Sequence, residues 1–534
     1  MTSAALLLFG TDLNAWPISN PAYHTGYPQA LASADSVARG GSVAVASIDA
    51  SGTPVIIVGT VNGTVEVYNA DGTLRWKHDL GPTGISSKPA VGDLHGDGNQ
   101  EIVVSTGSTS TVSTSAGVYI LDSSGNSQKC WDEAAQSGAP LGVYSTPALA
   151  ALNPNRPGTL NIVFGTWSEH ILALNDDCSI YWDVSVRNDP ASSVDDTVFS
   201  SAAIGDIDGD GQLEVVIGAD HTNGNASAFG DGGLIHAFRH DGSAELSGFP
   251  IFVDEVVSSS PALADLDGDG KLDIVVGTGE CWEISACAGS NPSHPIHAVT
   301  DAVYAYNYLG QPVHGWPVSL DDPGPTGIRR YAYASPAIAD LDGNGTPSVI
   351  INAIAKNIVS GSDTQPASSN GWTYVFNADG STRAGWPKQP VTPGCHATYS
   401  FGARVSPIVA DLDGDHLPEI ILPSNDELVV WDRNGNQLSR SQDLCGPTPP
   451  GYALDTASGG QTGSPALGDV SGSGSLTLVE TGQTAFNTGI GAIYAWDFNS
   501  ASASDALTAW PGFRNNSANT AVWRPETIFK NDFD

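Results

Sequence analysis

One motif recurs eight times along the 534 residues and leaves the chain little freedom in how it folds. In full form it reads Ser-Pro-Ala, two apolar residues, Asp-x-Asp-Gly-Asp-Gly, then an Ile/Val run ending in Gly. SSAAIGDIDGDGQLEVVIG begins at Ser200 and SSPALADLDGDGKLDIVVG at Ser259. Further copies begin at Lys88 (KPAVGDLHGDG), Ala334 (ASPAIADLDGNG), Val405 (VSPIVADLDGDH) and Ser464 (SPALGDVSGSG), with eroded copies at Val45 and Thr146. The acidic-loop starts fall about 60 residues apart, which suits a four-stranded blade with its loops.

Each copy carries a later strand, such as TVEVYNADG or WTYVFNADG, and then an aromatic-Pro close, as in GWPVSL, GWPKQP, GFPIFV and AWPGF. Trp316, Trp386 and Trp510 read as structural because they recur at one repeat position. Short Val/Ile runs between Gly- and Pro-rich turns (61 Gly, 34 Pro) predict an all-β chain. The expected fold is a β-propeller of four-stranded antiparallel blades, eight in number, or seven if an eroded copy is split in closing the ring. Residues 40–514 form the propeller, 1–39 a signal remnant and ring-closing segment, and 515–534 a tail.

In an up-and-down blade the 1–2 and 3–4 turns share one face of the disc, and the 2–3 and 4–1 connections share the other. The acidic loops join strands 1 and 2. The insertions at 105–117, 219–233, 278–301, 352–371 and 481–491 join strands 2 and 3, on the opposite face. Variable loops on a rigid scaffold are where binding usually sits. Trp167, Trp282, Trp372, His294 and His297 fall in or near them and are the candidate ligand-binding residues. Blade packing is the competing reading for any one Trp.

The acidic loops have metal-ligand spacing. Asp206, Asp208, Asp210 and Glu214 take positions 1, 3, 5 and 9, with the Gln212 carbonyl at position 7. Asp265, Asp267, Asp269 and Asp273 repeat the set, with Lys271 at position 7. Carboxylates so close repel one another unless a cation sits among them, and hard oxygen ligands select Ca²⁺. Asp411, Asp413, Asp415 and Glu419 keep the pattern with His416 where glycine is expected, a residue that tolerates a left-handed backbone. Asp340, Asp342 and Asn344 end in Ser348 and predict weaker binding. Asp93, Asp97 and Glu101 are retained around His95, a poor calcium ligand. The acid at position 9 and the strand that follows exclude an EF-hand.

With 58 acidic against 20 basic residues the net charge is −38, which repels phosphate backbones and anionic lipid. No run is apolar enough to span a bilayer. Nucleic acid and membrane insertion are therefore not expected. Six cysteines without a CxxC pair favour disulfides and an oxidising compartment. Cys281 with Cys287, Cys130 with Cys178, and Cys395 with Cys445 lie in suitable regions, though six cysteines allow 15 connectivities.

The loops DIDGDGQLE and DLDGDGKLD in their Ser-Pro-Ala…Val-Val-Gly setting resemble FG-GAP or VCBS repeats, as in the integrin α head and many bacterial secreted proteins. The resemblance covers roughly residues 40–500. It implies a propeller with calcium in the 1–2 loops. WPISNPAYHTG and WPGFRNNSANTAV resemble each other and are expected to meet where the ring closes. The leading reading is a secreted, periplasmic or cell-surface module that binds an extracellular glycan or protein on the face opposite the calcium loops. One alternative is a polysaccharide lyase like the rhamnogalacturonan lyases, with Arg329, Arg330, Tyr331 and Tyr333 its only basic–aromatic cluster and a solvated surface turn the competing reading. Another is a structural part of a secreted assembly. No Gly-x-Ser-x-Gly, His-Glu-x-x-His or phosphate-cradling loop is present.

Overall fold

A computed structural model describes residues 21–36, 42–107, 115–137, 142–186, 197–221, 232–253, 255–279, 302–320, 328–357, 371–389, 405–424, 427–439, 454, 463–483, 490–502 and 509–524. Eight antiparallel sheets on the four-strand plan make an eight-bladed β-propeller. Blades 1 to 7 begin with inner strands at Ala44, Ala90, Ala148, Ala203, Ala262, Ala337 and Ile408, and blade 8 at Ala466.

Strand composition follows radial position. Inner strands such as Ala203–Gly205 and Ala262–Ala264 are three residues long, small and wholly buried. Second strands such as Asp273–Gly277 (DIVVG) are buried throughout, because both faces pack against neighbouring blades. Outer strands alternate, as in Leu74–Asp79, whose exposed residues face solvent. The Gly of each Val-Val-Gly marks where the next blade comes closest: a Cβ on Gly218 would lie 2.3 Å from Val257 Cγ1, and one on Gly277 2.6 Å from Ala332 Cβ.

The Ser-Pro-Ala signature has a mechanical role. The backbone N–H of each motif residue donates to the hydroxyl of the equivalent residue one blade on. The ladder runs from Lys88 to Thr146, Ser201, Ser260, Ser335, Ser406, Ser464 and Ser42, at 2.9–3.3 Å. Farther out, indoles stitch blade to blade: Trp76 Nε1 donates to Ser123 O, Trp182 Nε1 to His240 O, Trp316 Nε1 to Ala378 O and Trp386 Nε1 to Arg433 O.

The ring closes at blade 8. Ala22–Tyr23 and Gln29–Ala30 pair with Gly491–Ser502, so the N-terminal segment supplies the outer strand of the last blade. His24 Nδ1 contacts the Asp497 carboxylate at 2.7 Å there. Tyr27 donates from its hydroxyl to Asn69 O and precedes a cis proline, as Trp316 and Trp386 do. This corrects the reading of Trp510 as a third copy of that close. Trp510 is buried, but on the ring axis, because the N-terminal Tyr27-Pro28 already occupies the outer position in blade 8.

Residues 509–524 form an axial strap. Main-chain N–H groups of Val409, Leu467, Val91, Leu149, Ile204 and Leu263 donate to the carbonyls of Trp510, Pro511, Ser517, Ala518, Thr520 and Ala521. The strap thus pairs with the inner strands of blades 7, 8, 2, 3, 4 and 5 in turn. Trp510, Ala521 and Trp523 join the core cluster shared by blades 4 to 7.

Glu480 interrupts the apolar interior of blade 8, where blades 4 and 5 have Ile217 and Val276 at the matching register. Thr481 N donates to its Oε1, while Oε2 is buried without a partner. Burial pushes its carboxyl up to about 8. The folded value lies above the unfolded one of roughly 4.3. Ionisation therefore costs stability increasingly as pH rises through that interval, and the cost is absent below it. Glu480→Gln is expected to gain on the order of 2–4 kcal/mol over the parent at pH 8.5 and far less at pH 5. Urea unfolding of both proteins at the two pH values measures the difference, and an equal gain at both would refute the assignment.

Candidate metal loops and ligand face

All the acidic loops lie in 1–2 connections, on one face. The paired register fixes position 9 at the first residue of strand 2, opposite the last residue of strand 1, as Glu214 faces Gly205 and Asp273 faces Ala264. That residue is buried and holds the loop shut from below. One oxygen of Glu214, Asp273, Glu419 and Glu101 accepts the N–H of position 2, from Ile207, Leu266, Leu412 and Leu94.

Three loops gather their acids. Ligand atoms of Asp206, Asp208 and Asp210 lie within 4.8 Å of one another, as do those of Asp265, Asp267 and Asp269, and those of Asp411, Asp413 and Glu419. The second oxygen of Glu214 is buried with no hydrogen-bond partner. Burial first, then the neighbouring aspartates, push Glu214 and Asp273 up to about 7 and Glu419 up to about 10. Clustered, partly desolvated carboxylates with an orphaned oxygen and, among the described residues, no basic partner fit a hard divalent cation. Asp415 donates its backbone N–H to Asp413 at the exposed rim of the third loop. His416 has φ 66°, the left-handed conformation the sequence required of it. The Lys271 ammonium sits 3.6 Å over the Tyr308 ring.

Of the other loops, two hold a cation of their own, the Asp93 loop keeps three acids that do not gather, and the rest lack the acids. Both Asp342 oxygens receive Arg383, Nη1 at 2.8 Å and Nη2 at 2.6 Å, with Arg433 Nη1 at 3.6 Å. Asp340 accepts Gly345 N, and Asn344 accepts Thr346 N. In blade 1 the eroded loop pairs Asp49 with Arg75. In blade 2, Asp93 accepts the N–H of Asp97 and Gly98, and His95 reaches toward Asp176 at 3.5 Å. Arg383 is the residue that sequence reading missed, since it lies 41 residues from Asp342 in the turn between outer strands. Replacing it should free the loop. Arg383→Met with Ser348→Asp is expected to add one calcium per chain by titration calorimetry. Unchanged stoichiometry would mean the guanidinium is not what fills the loop.

On the opposite face three of the five insertions, those at 219–233, 352–371 and 481–491, are shorter than the sequence indicated. Strands Glu214–His221, Ser348–Asn357 and Ser475–Gln483 run on past the core and pair there. Trp167 lies in the 2–3 turn of blade 3, half-buried, its ring 5.7 Å from Tyr144 and 4.9 Å from Phe199. Tyr144 and Phe199 each stand two residues before a ladder hydroxyl, Thr146 and Ser201, a repeat position at which Tyr333 also falls. That recurrence was the available signal for them. Trp372 starts the third strand of blade 6, half-buried, with the Arg330 guanidinium 4.3 Å from its ring. Trp282, His294 and His297 lie outside the described residues, as do Cys281, Cys287, Cys395 and Cys445.

Arg330 is not on a solvated turn. Ile328–Tyr331 is a strand on the extended end of Ser348–Asn357, and Arg330 is 2% exposed, donating to the Tyr374 hydroxyl at 2.5 Å. The aromatic walls supplied by Trp372 and Tyr374 are what bury it. Cys130 and Cys178 form a disulfide between blades 2 and 3, with Cα atoms 5.0 Å apart. No helix among the described residues is long and apolar enough to cross a membrane.

Residues 206–276, which hold two of the three acid clusters, match the FG-GAP-like repeat family. No curated protein sequence matches the chain. The fold is similar to that of the Vibrio cholerae biofilm matrix protein Bap1, at 15% identity and a TM-score of 0.53, over 94% of this chain and 96% of that one. It is also similar to quinohemoprotein alcohol dehydrogenase from Comamonas testosteroni, at 12% identity and a TM-score of 0.52, over 90% and 77%. At these identities the likeness is one of fold.

Proposed function

We propose that this eight-bladed propeller with FG-GAP-like repeats is an extracellular binding module, rigidified by calcium in the loops of blades 4, 5 and 7, with its ligand on the opposite face. The observation that carries the calcium reading is the gathering of acids in those three loops alone among the described residues. Asp206, Asp208, Asp210 and Glu214 hold one ion, Asp265, Asp267, Asp269 and Asp273 a second, and Asp411, Asp413, Asp415 and Glu419 a third. The ion neutralises carboxylates and pins the 1–2 hairpin. Its role in this reading is structural, bracing the hairpin between strands 1 and 2.

The ligand reading rests on the aromatic trio of Tyr144, Trp167 and Phe199 beside the axis, on the face that carries the long connections. Aromatic faces stack on sugar rings and anchor protein side chains. The Cys130–Cys178 disulfide supports an oxidising, extracellular setting, and a biofilm matrix protein on the same fold is consistent with it. The lyase reading is less favoured, since the Arg330 guanidinium of its candidate cluster is enclosed between Trp372 and Tyr374. The deciding experiment is a broad glycan and pectin panel, run in calcium and again in EDTA. Calcium-dependent capture of a defined sugar, weakened by Trp167→Ala, is the expected result. A blank panel with folded protein would overturn the carbohydrate form of the reading.

A further inference from the structure

The axial strap buries two cations and gives neither an anion. Lys88 occupies the ladder position that a Ser or Thr fills in the other seven copies. Its side chain turns to the axis instead, and Nζ donates to Phe513 O at 2.8 Å and Asn516 O at 2.9 Å. Arg514, on the strap between those acceptors, reaches the other way, with Nη1 donating to Pro261 O and Nη2 to Ala202 O. Lys88 is 4% exposed and Arg514 2%. Among the described residues neither makes an ion pair, in a chain where acids outnumber bases 58 to 20.

Both cations keep an unused donor. A lysine ammonium has three N–H bonds, of which two are taken here. The Arg514 Nε–H is buried with no acceptor. The two charges also act on each other: burial and then Arg514 lower the Lys88 ammonium to about 7. A guanidinium does not escape by losing its proton, and a buried charge left unpaired costs several kcal/mol.

We propose that Lys88 and Arg514 form an axial anion site that takes a small monovalent ion, chloride in a saline medium. A single halide accepts from both unused donors and cancels their mutual repulsion. A polyatomic oxyanion suits the place less well, because the carbonyls of Phe513, Asn516, Ala202 and Pro261 crowd the same two side chains and would face its oxygens. The ion would sit where strap meets ring, so its binding would favour the docked strap. Deprotonation of Lys88 is the competing way to relieve the repulsion, and it predicts indifference to the anion.

The test uses the full chain at pH 7, fixed calcium and constant ionic strength, with sodium gluconate exchanged stepwise for sodium chloride or bromide. The expected result is a saturable rise in melting temperature of about 3–6 °C, flattened in Lys88→Met. In crystals grown in bromide, an anomalous peak is expected in contact with Arg514 Nε. Equal melting temperatures in gluconate and chloride, or bromide peaks confined to the surface, would overturn the proposal. Should Lys88→Met not fold, the anomalous map of the parent decides alone.

Discussion

Alanine at Asp208, Asp267 and Asp413 together is expected to bring the melting temperature measured in calcium down to that of the parent in chelator. Each residue is the position-3 acid of its loop, and each loop gathers acids within 4.8 Å. With calcium at a thousand times its Kd, one site stabilises by about 4 kcal/mol, so three dominate the behaviour of the calcium-loaded ring. The sign in chelator runs the other way. There the parent holds clustered carboxylates with no counter-ion, and Glu214, Asp273 and Glu419 sit well above their ordinary range. Removing one acid per loop relieves that repulsion, so the variant melts no lower than the chelated parent. Scanning fluorimetry of both proteins in calcium and in EDTA reads both effects. Asp342→Ala is the control: its partner is Arg383, so the calcium response should be untouched. A triple variant that keeps the parent's response to calcium would mean that the ion acts elsewhere.

That contrast shows what a sequence can carry. The spacing of Asp206, Asp208, Asp210 and Glu214 encodes a loop by itself, because a nine-residue turn brings its own ligands together. The register of strands 1 and 2 then follows, and with it the face on which every such loop lies. Blade number was equally readable, since each blade repeats one pattern. Whether a loop is free to take a metal is not local, and Asp342 has the right spacing while a guanidinium from the neighbouring turn fills its place. The same limit hid the burial of Arg330, whose walls come from Trp372 and Tyr374 on another strand. It also misdirected Trp510: AWPGF looks like GWPVSL, but the outer place in blade 8 belongs to a strand from the other end of the chain. Ser-Pro-Ala was visible in the sequence, yet its hydroxyl ladder exists only once the blades stand in a ring.

Ending the chain at residue 508 is expected to cost the propeller more than any point substitution. A propeller lacks contacts across its axis, so its inner strands normally leave one edge unpaired. Here the strap takes that edge with eight main-chain hydrogen bonds over six blades. At about 1 kcal/mol each, with about 3 kcal/mol for each of Trp510 and Trp523, the loss is on the order of 10 kcal/mol. The N-terminal strand would still close the ring through Ala22–Tyr23 and Gln29–Ala30, so the truncated chain should keep its sheet content. Its melting temperature should fall by about 10 °C or more, and inner-strand amides such as Val91, Leu149 and Ile204 should lose protection from hydrogen exchange. A synthetic peptide of residues 509–524 should restore part of both. Truncated protein that melts within a few degrees of the parent, with those amides still protected, would show that the blades hold the ring without the strap.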